Sequence, residues 1–124
     1  TVMNYLKYLK NARLIQLLYS NGNGDEDQMK KPDMVYMHNT NLLYAIAPEN
    51  TDKLNLRHTF FYNQVDYKYP LKSSPVGDFL VDEKYHFIVG GRKIEPTGET
   101  YAASDVIEIG EDKKIPLWLF GFLY

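Results

Sequence analysis

Few side chains in this sequence are of a type and spacing that could do chemistry. Ser20, Ser73, Ser74 and Ser104 stand in no G-x-S-x-G turn, so none is presented as a nucleophile. The absence of cysteine removes thiolate nucleophiles, thiolate metal sites and disulfides together. His38, His58 and His86 share no i, i+4 or other ligand spacing, and no H-E-x-x-H stretch occurs, so a metal role is not expected of them. Gly22-Asn23-Gly24 is followed by Asp25, Glu26 and Asp27, which would repel a phosphate where a helix should open to receive it. As a calcium loop the same run has Glu26 at the turn glycine and Pro32 at the bidentate acid. Gly91-Arg92-Lys93 has His86 where a Walker A loop needs its first glycine. What remains is Asp78, a single carboxylate beside a strand, and the cations Lys68, Lys72, Arg92 and Lys93, a pattern that a solvated strand rim explains.

The stretch 77–92 is the element that would position Asp78, and its pattern predicts a β-hairpin. Phe79 and Val81 alternate with Asp78 and Leu80, Asp82-Glu83-Lys84 makes a polar turn, and Tyr85, Phe87 and Val89 line one face on the return. Two apolar strands joined this tightly belong in the middle of a sheet. Gly90-Gly91 should end the second strand through the backbone freedom of glycine.

Upstream, Val2, Tyr5, Leu6 and Leu9 fall at i, i+3, i+4 and i+7, an amphipathic helix that Thr1 can cap. Residues 14–19 predict a strand, 20–31 a polar loop closed by Pro32, and 34–37 a further strand. Helix, strand and long turn in that order suggest the end of a winged helix. Residues 39–47 predict a short helix stopped by Pro48, and 51–65 a longer one capped by Thr51 or Asp52. Tyr67, Tyr69 and Leu71 alternate with lysines and a proline, as in an edge strand. After the hairpin, 93–100 is too short for much helix, 101–103 and 106–109 are strand material around a bend, and the apolar run 115–124 should pack as the last piece of the core.

A chain of 124 residues, 44% hydrophobic and 24% charged, is one domain, or one domain with a fragment of another, and can bury a real core. A net charge of −2 gives no overall pull toward nucleic acid or an anionic membrane. The first residues do not have the pattern of a signal peptide. The run 115–124, broken by Pro116, is about half of the ~20 residues that cross a bilayer. A cytoplasmic location fits this composition. Because the chain opens within a helix and not on an initiator methionine, a longer parent protein is expected.

The blocks 5–9, 12–15, 35–45 (Val-Tyr-Met-His-Asn-Thr-Asn-Leu-Leu-Tyr-Ala), 56–65 (Leu-Arg-His-Thr-Phe-Phe-Tyr-Asn-Gln-Val), 77–82 (Gly-Asp-Phe-Leu-Val-Asp) and 115–124 resemble the C-terminal region of prokaryotic AAA-superfamily ATP-binding proteins. The resemblance covers essentially the whole chain. It implies an α/β fold: a small mixed sheet with flanking helices and a degenerate restriction-endonuclease-like core, preceded by a winged-helix fragment. Residues 1–32 would be the end of the winged helix, and 33–124 the nuclease-like domain of unknown function. Active nucleases of that kind use an acid on a helix, an aspartate on a strand and a Glu-x-Lys on the next, two carboxylates holding magnesium while the lysine positions water. Here Asp78 stands at the strand aspartate, His58 at the helix acid, and Ile88-Val89-Gly90 at the Glu-x-Lys, so His58, Asp78, Ile88 and Gly90 would be vestigial positions. Glu83, Glu95 and Glu108 are the acids left to substitute, without spacing that recommends them.

The resemblance implies a non-catalytic interaction module with no cofactor of its own, ATP and magnesium belonging to an N-terminal ATPase region. Its partners would be that ATPase core in cis, a partner protein or a second copy, and no membrane. The alternative is a nucleic-acid-binding module on the inactive scaffold, with Lys7, Lys10, Arg13, Arg92 and Lys93 as its contacts.

Overall fold

The computed structural model describes residues 2–20, 31–91 and 94–123. The architecture is mixed α/β, with one two-stranded and one five-stranded sheet. Helix α1 (Val2–Asn11) leads into β1 (Ile15–Leu18), which pairs antiparallel with β2 (Met34–Met37). The boundary expected between residues 32 and 33 therefore falls between two paired strands. The loop expected at 20–31 and the cap expected from Thr1 lie largely outside the described residues.

Two helices follow. In α2 (Thr40–Ile46), the Asn39 side chain accepts the Leu42 N–H at 2.8 Å, which satisfies one of the donors a helix start leaves open. In α3 (Lys53–Asp66), Asp52 accepts from Leu54 and Asn55, so of the two expected caps it is Asp52 that serves. The face of α3 carrying His58, Phe61, Tyr62 and Val65 is buried.

The five-stranded sheet has the order β3 (Leu71–Ser73), β4 (Phe79–Val81), β5 (Tyr85–Gly90), β6 (Thr100–Ser104), β7 (Lys114–Pro116). The first three strands form an antiparallel meander, and β6 and β7 add in parallel. The expected hairpin is β4–β5, and β5 is the central strand. Its three-residue turn, 82–84, places Asp82 and Glu83 at φ 53° and 57°, left-handed conformations that reverse the chain sharply between the two strands. Phe79 stacks on Phe61 with ring centroids 5.0 Å apart, and Phe61 also meets Phe87 and Phe120 at 5.3 and 4.9 Å. These rings are the centre of a core that continues through Val65, Val81, Val89 and Leu117. A 3-10 helix (Leu117–Phe122) closes the chain over the same face as α3.

Four expectations are corrected. The stripe Val2, Tyr5, Leu6, Leu9 does not bury: Val2 is 70% and Tyr5 66% exposed, and no residue of α1 is fully buried. The expected edge strand is β3 and begins only at Leu71; residues 67–70 are a turn, because the Lys68 and Tyr69 amides bond back to the Val65 carbonyl and extend the helix end. Residues 106–109 are not a strand: Ile109 is 84% exposed, and the partner position beside β6 belongs to β7. Gly90 and Gly91 do not use a positive φ; they supply room, since a Cβ at Gly90 would stand 2.7 Å from Ile94 Cγ2 and one at Gly91 3.0 Å from the Arg57 guanidinium.

Candidate functional site

Helix α3 presents His58 to the sheet, where it is 8% exposed. Its Nδ1 lies 3.1 Å from the Tyr36 hydroxyl of β2, and its Nε2 lies 3.2 Å from the Val89 carbonyl of β5. A carbonyl only accepts, so Nε2 carries a proton, and in the neutral ring Nδ1 accepts from Tyr36. The same Nε2 is 3.5 Å from Asp78 Oδ2, a close approach and not a hydrogen bond of ordinary length. Asp78 sits just before β4, its amide bonded to the Phe87 carbonyl, and Oδ2 accepts the Val89 N–H at 2.9 Å. Two oxygens, from Asp78 and Val89, thus converge on one imidazole N–H.

The electrostatics follow from this packing. Burial pushes the Asp78 carboxyl up, but the approach of His58 and the hydrogen bond from Val89 outweigh it and hold the group below the usual carboxylate range. Tyr36 is pushed up to about 12 by burial, with the Asp78 charge adding to the effect, so its hydroxyl keeps its proton. The ring of His58 also meets Phe79 edge-on at 5.4 Å, which fixes its plane.

The structure therefore brings together His58 and Asp78 and places them on the backbone of Val89, between Ile88 and Gly90. Strand alternation turns the Ile88 side chain to the opposite face from Val89, and Gly90 offers no side chain. Tyr36 was missed from sequence: it looks like any strand tyrosine, and its partner is 22 residues away. Two other polar pairs were equally invisible: Arg57 Nε with Asp105 Oδ2 at 2.7 Å, and Ser74 Oγ with His86 Nδ1 at 2.7 Å. Ser74 Oγ also accepts from the amides of Val76 and Gly77, so its lone pairs are occupied by the turn.

The substitute acids are spent elsewhere or stand apart: Glu83 pairs with Lys72 and Glu95 with Lys114, while Glu108 is exposed in the turn after β6. Among the described residues, no group of three or more His, Asp and Glu could hold a metal ion, and no helix is long and apolar enough to cross a membrane. Of the expected nucleic-acid contacts, Lys7 and Arg13 are exposed, Lys10 is half-buried with its charge acting on Asp66, and Arg92 and Lys93 lie outside the described residues. No family model matches the chain, and neither does a curated protein or a solved structure.

Proposed function

We propose that this chain is a non-catalytic interaction module standing C-terminal to a AAA-type ATPase, on a nuclease-like sheet whose acid position serves structure. The observation that carries this is the Asp78 carboxylate: it is committed to the Val89 amide and faces the His58 ring. Magnesium usually needs one or two carboxylates together with substrate phosphates to stay bound. An imidazole N–H already stands between the two oxygens that a cation would have to share. The order of elements is compatible with the resemblance: a helix bearing His58, an antiparallel meander with Asp78 at its middle strand, then parallel strands. A helix followed by two paired strands at the start is likewise compatible with a winged-helix tail, which would then extend through β2. Exposed Val2, Tyr5 and Tyr8 on α1 give such a module apolar surface for contact.

The test is cleavage of single- and double-stranded DNA and RNA by the purified chain with magnesium or manganese. The expected result is none. Metal-dependent cleavage that disappears in Asp78→Ala would overturn the proposal, and Glu95 would then be the first acid to examine. The gene context adds a second check, since the parent reading frame should encode G-x-x-x-x-G-K-[ST] upstream of this chain.

A further inference from the structure

A cavity of about 380 Å³ lies between the end of α3, the β4–β5 hairpin and the end of the chain. Val65, Val81, Phe87, Phe120 and Leu123 give it an apolar lining. Its remaining lining residues are Tyr69, Tyr85 and Asp82. Asp82 is half-buried as a residue, and among the described residues neither its carboxylate nor either tyrosine hydroxyl has a hydrogen-bond or ion-pair partner. The contrast with the next residue is informative: in the same turn, the more exposed Glu83 is held by Lys72. A carboxylate on the wall of an otherwise largely apolar cavity can serve a cation that enters it.

We propose that this cavity binds an organic ammonium ion, a protonated amine carried on an apolar body about the size of one ring. Asp82 supplies the countercharge. The rings of Tyr69, Tyr85, Phe87 and Phe120 line the same cavity, and an aromatic ring attracts a cation to its face. The volume is at the lower end of the roughly 300–1,000 Å³ of small-molecule sites, so a single ring with a short chain fills it. An anion would be repelled by Asp82, and a neutral apolar molecule would leave that carboxylate without a partner. The ammonium could be that of a free amine or of a lysine side chain on a protein. The inference does not depend on the ATPase reading: nuclease activity, or a parent without a P-loop, would leave it intact.

The experiment is a titration of the intact chain followed by amide chemical shifts, using 2-phenylethylammonium, its neutral analogue 2-phenylethanol, and a Gly-Lys-Gly peptide. The ammonium is expected to give saturable shifts centred on Val81, Phe87 and Leu123, with the alcohol about 5-fold weaker, the size of one cation–ring contact. Asp82→Asn should abolish that preference while preserving the spectrum elsewhere, since asparagine tolerates the φ of 53° at this position. Shifts by the lysine peptide with the same Asp82 dependence would place the ammonium on a protein. Shifts by 2-phenylethylammonium alone would make it a free amine. Equal binding of amine and alcohol, a preference that survives Asp82→Asn, or no saturable shift from any of the three would overturn the proposal.

Discussion

The Val89 amide has its acceptor in Asp78 Oδ2, at 2.9 Å, and that bond is the part of the site whose removal has the clearest cost. Asp78→Ala leaves a donor of the central strand unpaired where water has only partial access. We expect it to lower unfolding free energy by about 1–2 kcal/mol at neutral pH. The sign of the pH dependence follows from the carboxyl being held below its usual range. In the unfolded chain Asp78 ionises at the ordinary value. Its contribution is thus complete above that value and is lost as pH falls through the folded one. The difference between wild type and Asp78→Ala should therefore narrow as pH falls through the folded value, by the part of the stabilisation that the charge supplies. Asp66, whose carboxyl is pushed up by burial, acts in the opposite sense but identically in both proteins, so it cancels. Urea unfolding of the pair across this range measures it, and a pH-independent difference would defeat the account.

Among the elements, those with a clear period were legible in the sequence. The β4–β5 hairpin shows it well, because apolar alternation and a polar three-residue turn specify both strands and their register. Residues 67–70 and 106–109 were misjudged for the converse reason. Tyrosines and β-branched residues favour strands only where a neighbouring strand is available, and here α3 runs on into its own turn while β7 takes the place beside β6. The site was legible as far as His58 and Asp78 through resemblance, whereas Tyr36 depends on how the small sheet docks on α3. Tertiary contact also explains Gly77. A Cβ there would stand 2.9 Å from the Phe87 carbonyl oxygen, which itself accepts the Asp78 amide at 2.8 Å. Gly77→Ala should cost about 1–3 kcal/mol in urea unfolding. Gly121→Ala is the control, where the new Cβ would meet Phe60 at an ordinary 3.6 Å and the expected change is under about 0.5 kcal/mol. Equal effects would show that crowding at Phe87 is relieved cheaply.

At the scale of the whole molecule, two tyrosines tie the small sheet to the rest: Tyr36 reaches His58, and Tyr62 donates to the Leu17 carbonyl at 2.9 Å. Both bonds end on or start from α3, so that helix is shared between the two sheets. The large sheet is itself divided by how its strands are joined. Its meander β3–β4–β5 closes through short turns, whereas β6 can pair in parallel only after residues 91–99 have crossed back, a connection shorter than the dozen or so residues usual for such a step and without a helix among its described residues. That difference has a consequence in time. Short-range strand pairing is cheap in chain entropy and should be present at the rate-limiting barrier, with the parallel strands joining after it. Val81→Ala in β4 should therefore slow refolding by most of its destabilisation, while Ile115→Ala in β7 should chiefly quicken unfolding, as read from the two arms of a stopped-flow chevron. If Ile115→Ala slows refolding as strongly as Val81→Ala, the parallel half is already assembled at the barrier. If it does not, the sheet grows from its antiparallel edge, and a nascent chain emerging from the ribosome can organise the meander before its last strand has been made.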